Sequence, residues 1–154
     1  MMEQDVLRTP GHLVSLVARG FARLSEVRLR PLGFAPGQVP VLIALRDGTA
    51  RTQRDLARFA RVEQPPMAQM LARMERDGLI RRDPDPEDGR SSIVTLTALA
   101  EERLPDAVQR VLEGNRDALR GFSNEEAEQL VVLLGRLIAN LDRIANSDGA
   151  RLGS

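Results

Sequence analysis

Gln69 and Arg73 stand four residues apart in a stretch whose apolar positions repeat with helical spacing, so both project from one outward face. An amide and a guanidinium placed this way do hydrogen-bonding rather than covalent chemistry. Glutamine matches the edge of adenine, and arginine that of guanine, in the major groove of DNA. The same face carries Gln64, Ala68, Ala72 and Arg76. Further on, arginines recur at Arg81, Arg82 and Arg90, the last closing the run 83–90, DPDPEDGR, which holds four acids. Those acids repel phosphate, so contact with a nucleic acid has to come through Arg90 or through Arg81 and Arg82. A plain solvated helix face and a solubilising loop tip fit the same residues.

Other chemistries lack their parts. His12 is the single histidine, so no Ser/His/Asp arrangement or histidine-rich metal site can be assembled elsewhere. The chain has no cysteine, which removes disulfides, thiolate ligands and a thiol switch. Carboxylates are plentiful, but no apolar cleft is suggested around any pair. The expectation is therefore no catalytic residue, no metal and no cofactor. Met67, Met70 and Met74 follow helical spacing and read as core filling rather than an oxidation sensor.

Net charge is zero, which argues against coating nucleic acid by bulk electrostatics. All 22 cations are arginine, whose planar fork suits phosphate or guanine, although a genome-wide bias yields the same count. Between positions 51 and 90 there are nine arginines and eight acids, so affinity for DNA must rest on placement. The longest apolar run, from Val39 to Leu45, is broken by Pro40 and is far too short to span a bilayer. No secretory layout opens the chain, so the cytoplasm is the expected location, with no membrane partner.

The elements that must hold these side chains follow from periodicity and punctuation. Leu13, Leu16, Val17, Gly20, Leu24 and Val27 describe one face of a helix from Pro10 to about Arg30. A shorter helix covers roughly 37–46, with Pro40 tolerable near its first turn. Thr52 caps the next helix, with Asp55 as the capping-box acid, and Leu56, Ala57 and Ala60 form its buried face. Pro65 and Pro66 fix the start of the following helix, since they remove only N–H groups without intrahelical partners. Its buried stripe is Met67, Met70, Leu71 and Met74, and Gly78 stops it. Strands at 79–82 and 92–96 flank the acidic tip as a hairpin. Thr97 caps a long helix to about Leu119 containing Pro105, expected to kink it. Ser123 and Glu126 form a second capping box, opening a helix to about Ala145 roughly 33 Å long, more apolar stripe than one small core can cover.

This order of elements is mainly α with a small β-hairpin: a winged helix-turn-helix flanked by long N- and C-terminal dimerisation helices. The expected division is 33–97 for the winged helix-turn-helix, 10–32 and 98–146 for the dimerisation helices, and 147–154 for a disordered tail. At the turn, Arg61 stands where glycine is usual, at roughly 1 kcal/mol if it is left-handed. The runs 54–57 (RDLA), 74–80 (MERDGLI), 83–90 (DPDPEDGR) and 94–97 (VTLT) closely resemble the MarR family of bacterial transcriptional regulators. The resemblance implies a homodimer, usually a repressor, that binds pseudopalindromic double-stranded DNA and releases it when a small-molecule effector binds. It places the recognition helix, with Arg73 on its outward face, at 64–77, where Gln64, Pro65, Pro66, Ala68 and Gln69 stand in place of the usual serine, threonine or arginine. It also makes Arg90 a wing contact with Asp88 supporting it, while Arg81 is expected to contact DNA from its place on the first strand. An effector pocket where the first, second and fifth helices meet would involve His12, Arg19, Phe21 or Arg23. A dimeric helical adaptor using the winged helix for protein contacts is the rival reading.

Overall fold

The computed structural model describes residues 3–152. Thr9 is extended, and its hydroxyl accepts the His12 N–H at 3.4 Å, which caps α1 (Pro10–Leu29). A 3-10 helix over Glu3–Arg8 precedes it. After a 3-10 turn at Arg30–Leu32, α2 spans Gln38–Asp47. The Gln38 side chain is buried and accepts the Ala35 N–H at 2.9 Å, tying down the chain that enters this helix. Then come α3 (Gln53–Ala60), α4 (Gln64–Arg76), β1 (Ile80–Pro84), β2 (Ser92–Leu96), α5 (Ala98–Ala118) and α6 (Asn124–Leu152). The strands are antiparallel, with Ile80 opposite Leu96 and Pro84 opposite Ser92.

The chain divides into two compact units, the first ending at Gly114. In that unit Leu29, Val41, Leu42, Leu56, Met67, Leu71, Met74, Ile80 and Val94 are buried in one cluster. Met67, Leu71 and Met74 are fully covered as their spacing predicts, whereas Met70 is only partly so. Ala100, Leu104 and Ala107 belong to the same cluster, so the winged-helix core continues past the expected boundary at 97. Thr97 accounts for this continuity: its hydroxyl donates to the Gly78 carbonyl at 2.6 Å and accepts the Ala100 N–H at 3.3 Å, joining the hairpin base to the start of α5. Helix α5 spans Ala98–Ala118 with Pro105 inside it.

Gly114 lies where α5 meets α1. A Cβ added there would sit 3.3 Å from Leu24 Cδ2, and nearby Arg110 donates to the Arg28 carbonyl at 3.2 Å. The absent side chain thus lets the two helices approach closely.

The second unit begins at Asn115, and its main element is α6. The Ser123 N–H donates to Glu126 Oε1 at 2.8 Å and the Glu126 N–H to Ser123 Oγ at 3.1 Å, the capping box read from the sequence. The helix continues to Leu152, so the expected tail is helical over 147–152, while 153–154 lie outside the described residues. Asn146, Ser147 and Gly149 are weak helix formers, but the backbone ladder begun at Ser123 is carried through them. Along α6, Leu130, Val131, Leu137, Ile138, Leu141 and Ile144 are exposed in the single chain.

Candidate nucleic-acid interface

The turn between α3 and α4 is built from local chemistry. Thr52 Oγ1 accepts the Asp55 N–H at 3.2 Å, and Asp55 Oδ2 accepts the Thr52 N–H at 3.4 Å. Burial pushes the Asp55 carboxyl up, but hydrogen bonds with Thr52 and Arg51 and the charge of Arg58 together outweigh it and hold it below its ordinary value. Arg61 follows α3 in the left-handed region, φ 54° and ψ 43°, with its N–H bonded to the Ala57 and Arg58 carbonyls. It is the only non-glycine residue with positive φ among the described residues. The strain foreseen at this position is therefore present, held by the helix end on one side and the proline-fixed start of α4 on the other.

On α4, Gln64, Pro66, Gln69 and Arg73 are exposed. Ala68, expected to face outward, is half-buried. Arg73 Nε is 3.9 Å from Asp77 Oδ2, and its side chain is 59% exposed, so this pair restrains it only weakly. Gln64 is engaged: its Oε1 accepts from Gln53 Nε2 at 3.0 Å. Pro66, Gln69 and Arg73 also line a groove of about 340 Å³ closed on its other side by Pro36 and Gln38.

The wing is anchored at its base and ordered at its tip. The Val94 N–H donates to the Arg51 carbonyl at 2.8 Å, attaching β2 to the segment that enters α3. Arg82 Nε lies 3.8 Å from Glu75 Oε2, linking β1 to α4. Arg81 is 69% exposed, 3.8 Å from Asp83. At the tip, Asp85 Oδ1 accepts the Glu87 N–H at 2.9 Å and Asp88 Oδ1 accepts the Arg90 N–H at 3.0 Å. Asp88 thus orients Arg90 through its backbone, and among the described residues no ion pair claims the Arg90 guanidinium. The acids shape the loop while the arginine stays available.

Between the start of α3 and the wing lies a groove of about 710 Å³ lined by Gln53, Arg54, Gln64, Arg82, Asp88 and Arg90, among others. It gathers Gln64, Asp88 and Arg90 from the expected set and adds Gln53 and Arg54, which the sequence reading did not single out. Their signal was position, since both stand in the first turn after the Thr52 cap, opposite the first turn of α4. The four residues expected at an effector pocket all lie on α1. His12 and Phe21 are half-buried, Arg19 and Arg23 are exposed, and none of them lines either groove.

Two helices meeting at a tight turn, the second leading to a hairpin with arginine at its tip, define a winged helix-turn-helix. Residues 35–92 match the MarR family model. YwoH of Bacillus subtilis (strain 168), an uncharacterized HTH-type transcriptional regulator, is 29% identical over 117 residues, spanning 76% of this chain and 85% of its own. A mutant of MarR from E. coli, solved in complex with operator DNA, superposes with a TM-score of 0.76 at 26% identity, covering 82% of this chain and 91% of that one. A probable transcriptional regulator from Pseudomonas aeruginosa does so with a TM-score of 0.76 at 29% identity, covering 84% and 96%. The winged helix-turn-helix of this chain is thus similar to that of the MarR family, whose members are transcriptional regulators rather than enzymes. No helix among the described residues is long and apolar enough to cross a membrane.

Proposed function

We propose that this chain is a sequence-specific DNA-binding transcriptional regulator, a repressor that acts as a homodimer on a pseudopalindromic operator and is released by a small-molecule effector. The observation that carries the reading is the exposed face of α4, with Gln69 and Arg73 free to meet base edges, in a fold that superposes on a MarR mutant complexed with operator DNA. In this reading α4 enters the major groove, Gln64 and Gln69 address adenine and Arg73 addresses guanine. Arg90 enters the narrow, negative minor groove, and Arg81 meets phosphate. Pro66 and half-buried Ala68 contribute apolar contact near the bases.

The balanced charge of the winged helix makes one half-site weak. Two linked copies multiply the affinity without any new contact. The exposed apolar residues of α1 and of α6 supply surface for that linkage. Effector control requires a ligand that binds the DNA-incompetent arrangement more tightly than the competent one. His12, Arg19, Phe21 and Arg23 are the α1 side chains proposed to meet it. A chain working on chromosomal DNA would reside in the cytoplasm.

Selection from random duplexes with the purified chain tests the proposal. The expected result is an enriched sequence with two-fold symmetry, half-sites about one helical turn apart, and affinity that falls steeply with salt as phosphate contacts release counterions. No enriched sequence at low salt would overturn it.

A further inference from the structure

Gln53 opens α3 and Gln64 opens α4, and Gln53 Nε2 donates to Gln64 Oε1 at 3.0 Å across the turn between them. We infer that this amide pair is a specificity element: Gln64 reads an adenine in the major groove, and Gln53 holds the Gln64 amide in its reading orientation. The inference rests on the DNA-binding function proposed above and assigns part of its sequence preference.

The hydrogen-bonding inventory of the pair supports this role. Adenine offers an acceptor at N7 and a donor at N6, so one glutamine amide must present both an N–H and a carbonyl lone pair in a single plane. A solitary exposed glutamine rotates freely and presents either end. In the pair, Gln64 Oε1 accepts from Gln53 Nε2, so the two amides are held together rather than turning independently. What remains on Gln64 is one lone pair and two N–H groups, the complement of the adenine edge.

Position agrees with this inventory. Gln64 is in the first turn of α4, the end of a recognition helix that reaches base edges. Pro65 and Pro66 behind it fix the backbone from which it projects. Gln53 keeps one N–H and its own carbonyl, and it shares the groove between α3 and the wing with Arg54 and Arg90. A phosphate lying along that groove takes the free Gln53 N–H and the Arg54 guanidinium, so the residue that orients the reader is itself placed by the DNA backbone. The hydrogen bond is solvent-exposed and links neutral groups, so its contribution to fold stability is small.

The test is sequence selection from random duplexes with the intact chain, Gln64→Ala, Gln53→Ala and the shape-keeping Gln53→Met. The wild-type chain is expected to enrich an A·T pair at one position of each half-site, with about tenfold or greater discrimination there. All three variants should lose that preference at that position alone, with melting temperatures unchanged, and the Gln53→Met/Gln64→Ala double variant should lose no more than Gln64→Ala does. An unaltered profile for Gln64→Ala overturns the inference. So does a Gln53→Met variant that weakens all sequences equally, which would make Gln53 a phosphate contact only. In both cases the wild-type chain still selects an operator and the DNA-binding function stands. A wild-type chain that selects nothing at low salt removes both.

Discussion

The Asp88 carboxylate holds Arg90 by its backbone N–H at 3.0 Å and leaves the guanidinium to solvent. An acidic loop is thereby compatible with DNA contact, because its nearest carboxylate is spent on the chain and not on the arginine's charge. Arg90→Ala should lower operator affinity roughly tenfold and reduce the slope of log affinity against log salt by about one. Its melting temperature should be unchanged, because nothing in the fold leans on the side chain. Asp88→Asn keeps an oxygen acceptor and should bind nearly as the wild type does, whereas Asp88→Ala should weaken binding by less than Arg90→Ala. Fluorescence anisotropy across a salt series separates these outcomes, and a large loss of melting temperature in Arg90→Ala would contradict the assignment.

Arg73 is only loosely paired with Asp77 at 3.9 Å, an exposed contact worth well under 1 kcal/mol. Arg73→Ala should therefore fold normally. If Arg73 addresses a guanine, the variant loses about 1–3 kcal/mol at one operator position and leaves the others alone. A uniform loss over all sequences would reassign it to phosphate.

Arg61 adopts φ 54° at the turn, where an L side chain costs roughly 1–2 kcal/mol relative to the right-handed region. Glycine relieves that strain but adds freedom to the unfolded chain. Arg61→Gly should therefore gain about 0.5–1 kcal/mol net, seen as a melting temperature higher by a few degrees. A lower melting temperature would mean that the Arg61 side chain contributes more through its own contacts than its backbone costs.

Both capping boxes predict a pH dependence of one sign. The Asp55 and Glu126 carboxyls are held below their ordinary values, Asp55 by hydrogen bonds and Arg58 acting against burial, Glu126 by hydrogen bonds with Ser123. A depressed carboxyl contributes stability that is fully present above its unfolded value and is lost as pH falls through its folded value. Asp55→Asn should thus be less stable than the wild type near neutrality, with the gap closing as pH drops from about 5 toward 3. Thermal melts of the two proteins across that range check the convergence. A gap independent of pH would show that the carboxylate charge has no part in the cap.

What was legible in the sequence was local. Thr52 with Asp55, Ser123 with Glu126, and Pro65 with Pro66 each set a boundary through contacts within four residues, and the structure reproduces them. The left-handed Arg61 was visible as a missing glycine. Features that need two elements to meet were not. The Gln53 to Gln64 hydrogen bond depends on how α3 and α4 cross, and the role of Gly114 depends on where α1 passes α5. The core extends to Ala107 because Thr97 ties the hairpin to α5. Met70 is in phase with the buried stripe but borders an open groove, and periodicity carries no information about what faces a stripe.

Helix α6 makes the last prediction. Leu141 is 60% exposed, Ile144 55% and Val131 69%, and Leu130, Leu137 and Ile138 share the helix with them. At 29 residues it is about 43 Å long. The exposed apolar residues from Leu130 to Ile144 cover about 21 Å of that length, and such a surface is unusual on a monomer and is worth about 25 cal/mol per Å² once covered. Static light scattering at micromolar concentration should give twice the 17.0 kDa chain mass. Leu141→Asp combined with Ile144→Asp should return a monomer, since burying two unpaired carboxylates costs more than the interface recovers. Because each half-site is weak, the same variant should lose operator affinity by about 10²–10⁴, the size of the linkage effect, with Gln69, Arg73 and Arg90 untouched. A wild-type chain that scatters as a monomer would contradict the homodimer, and a monomeric variant that still binds tightly would show that one winged helix suffices.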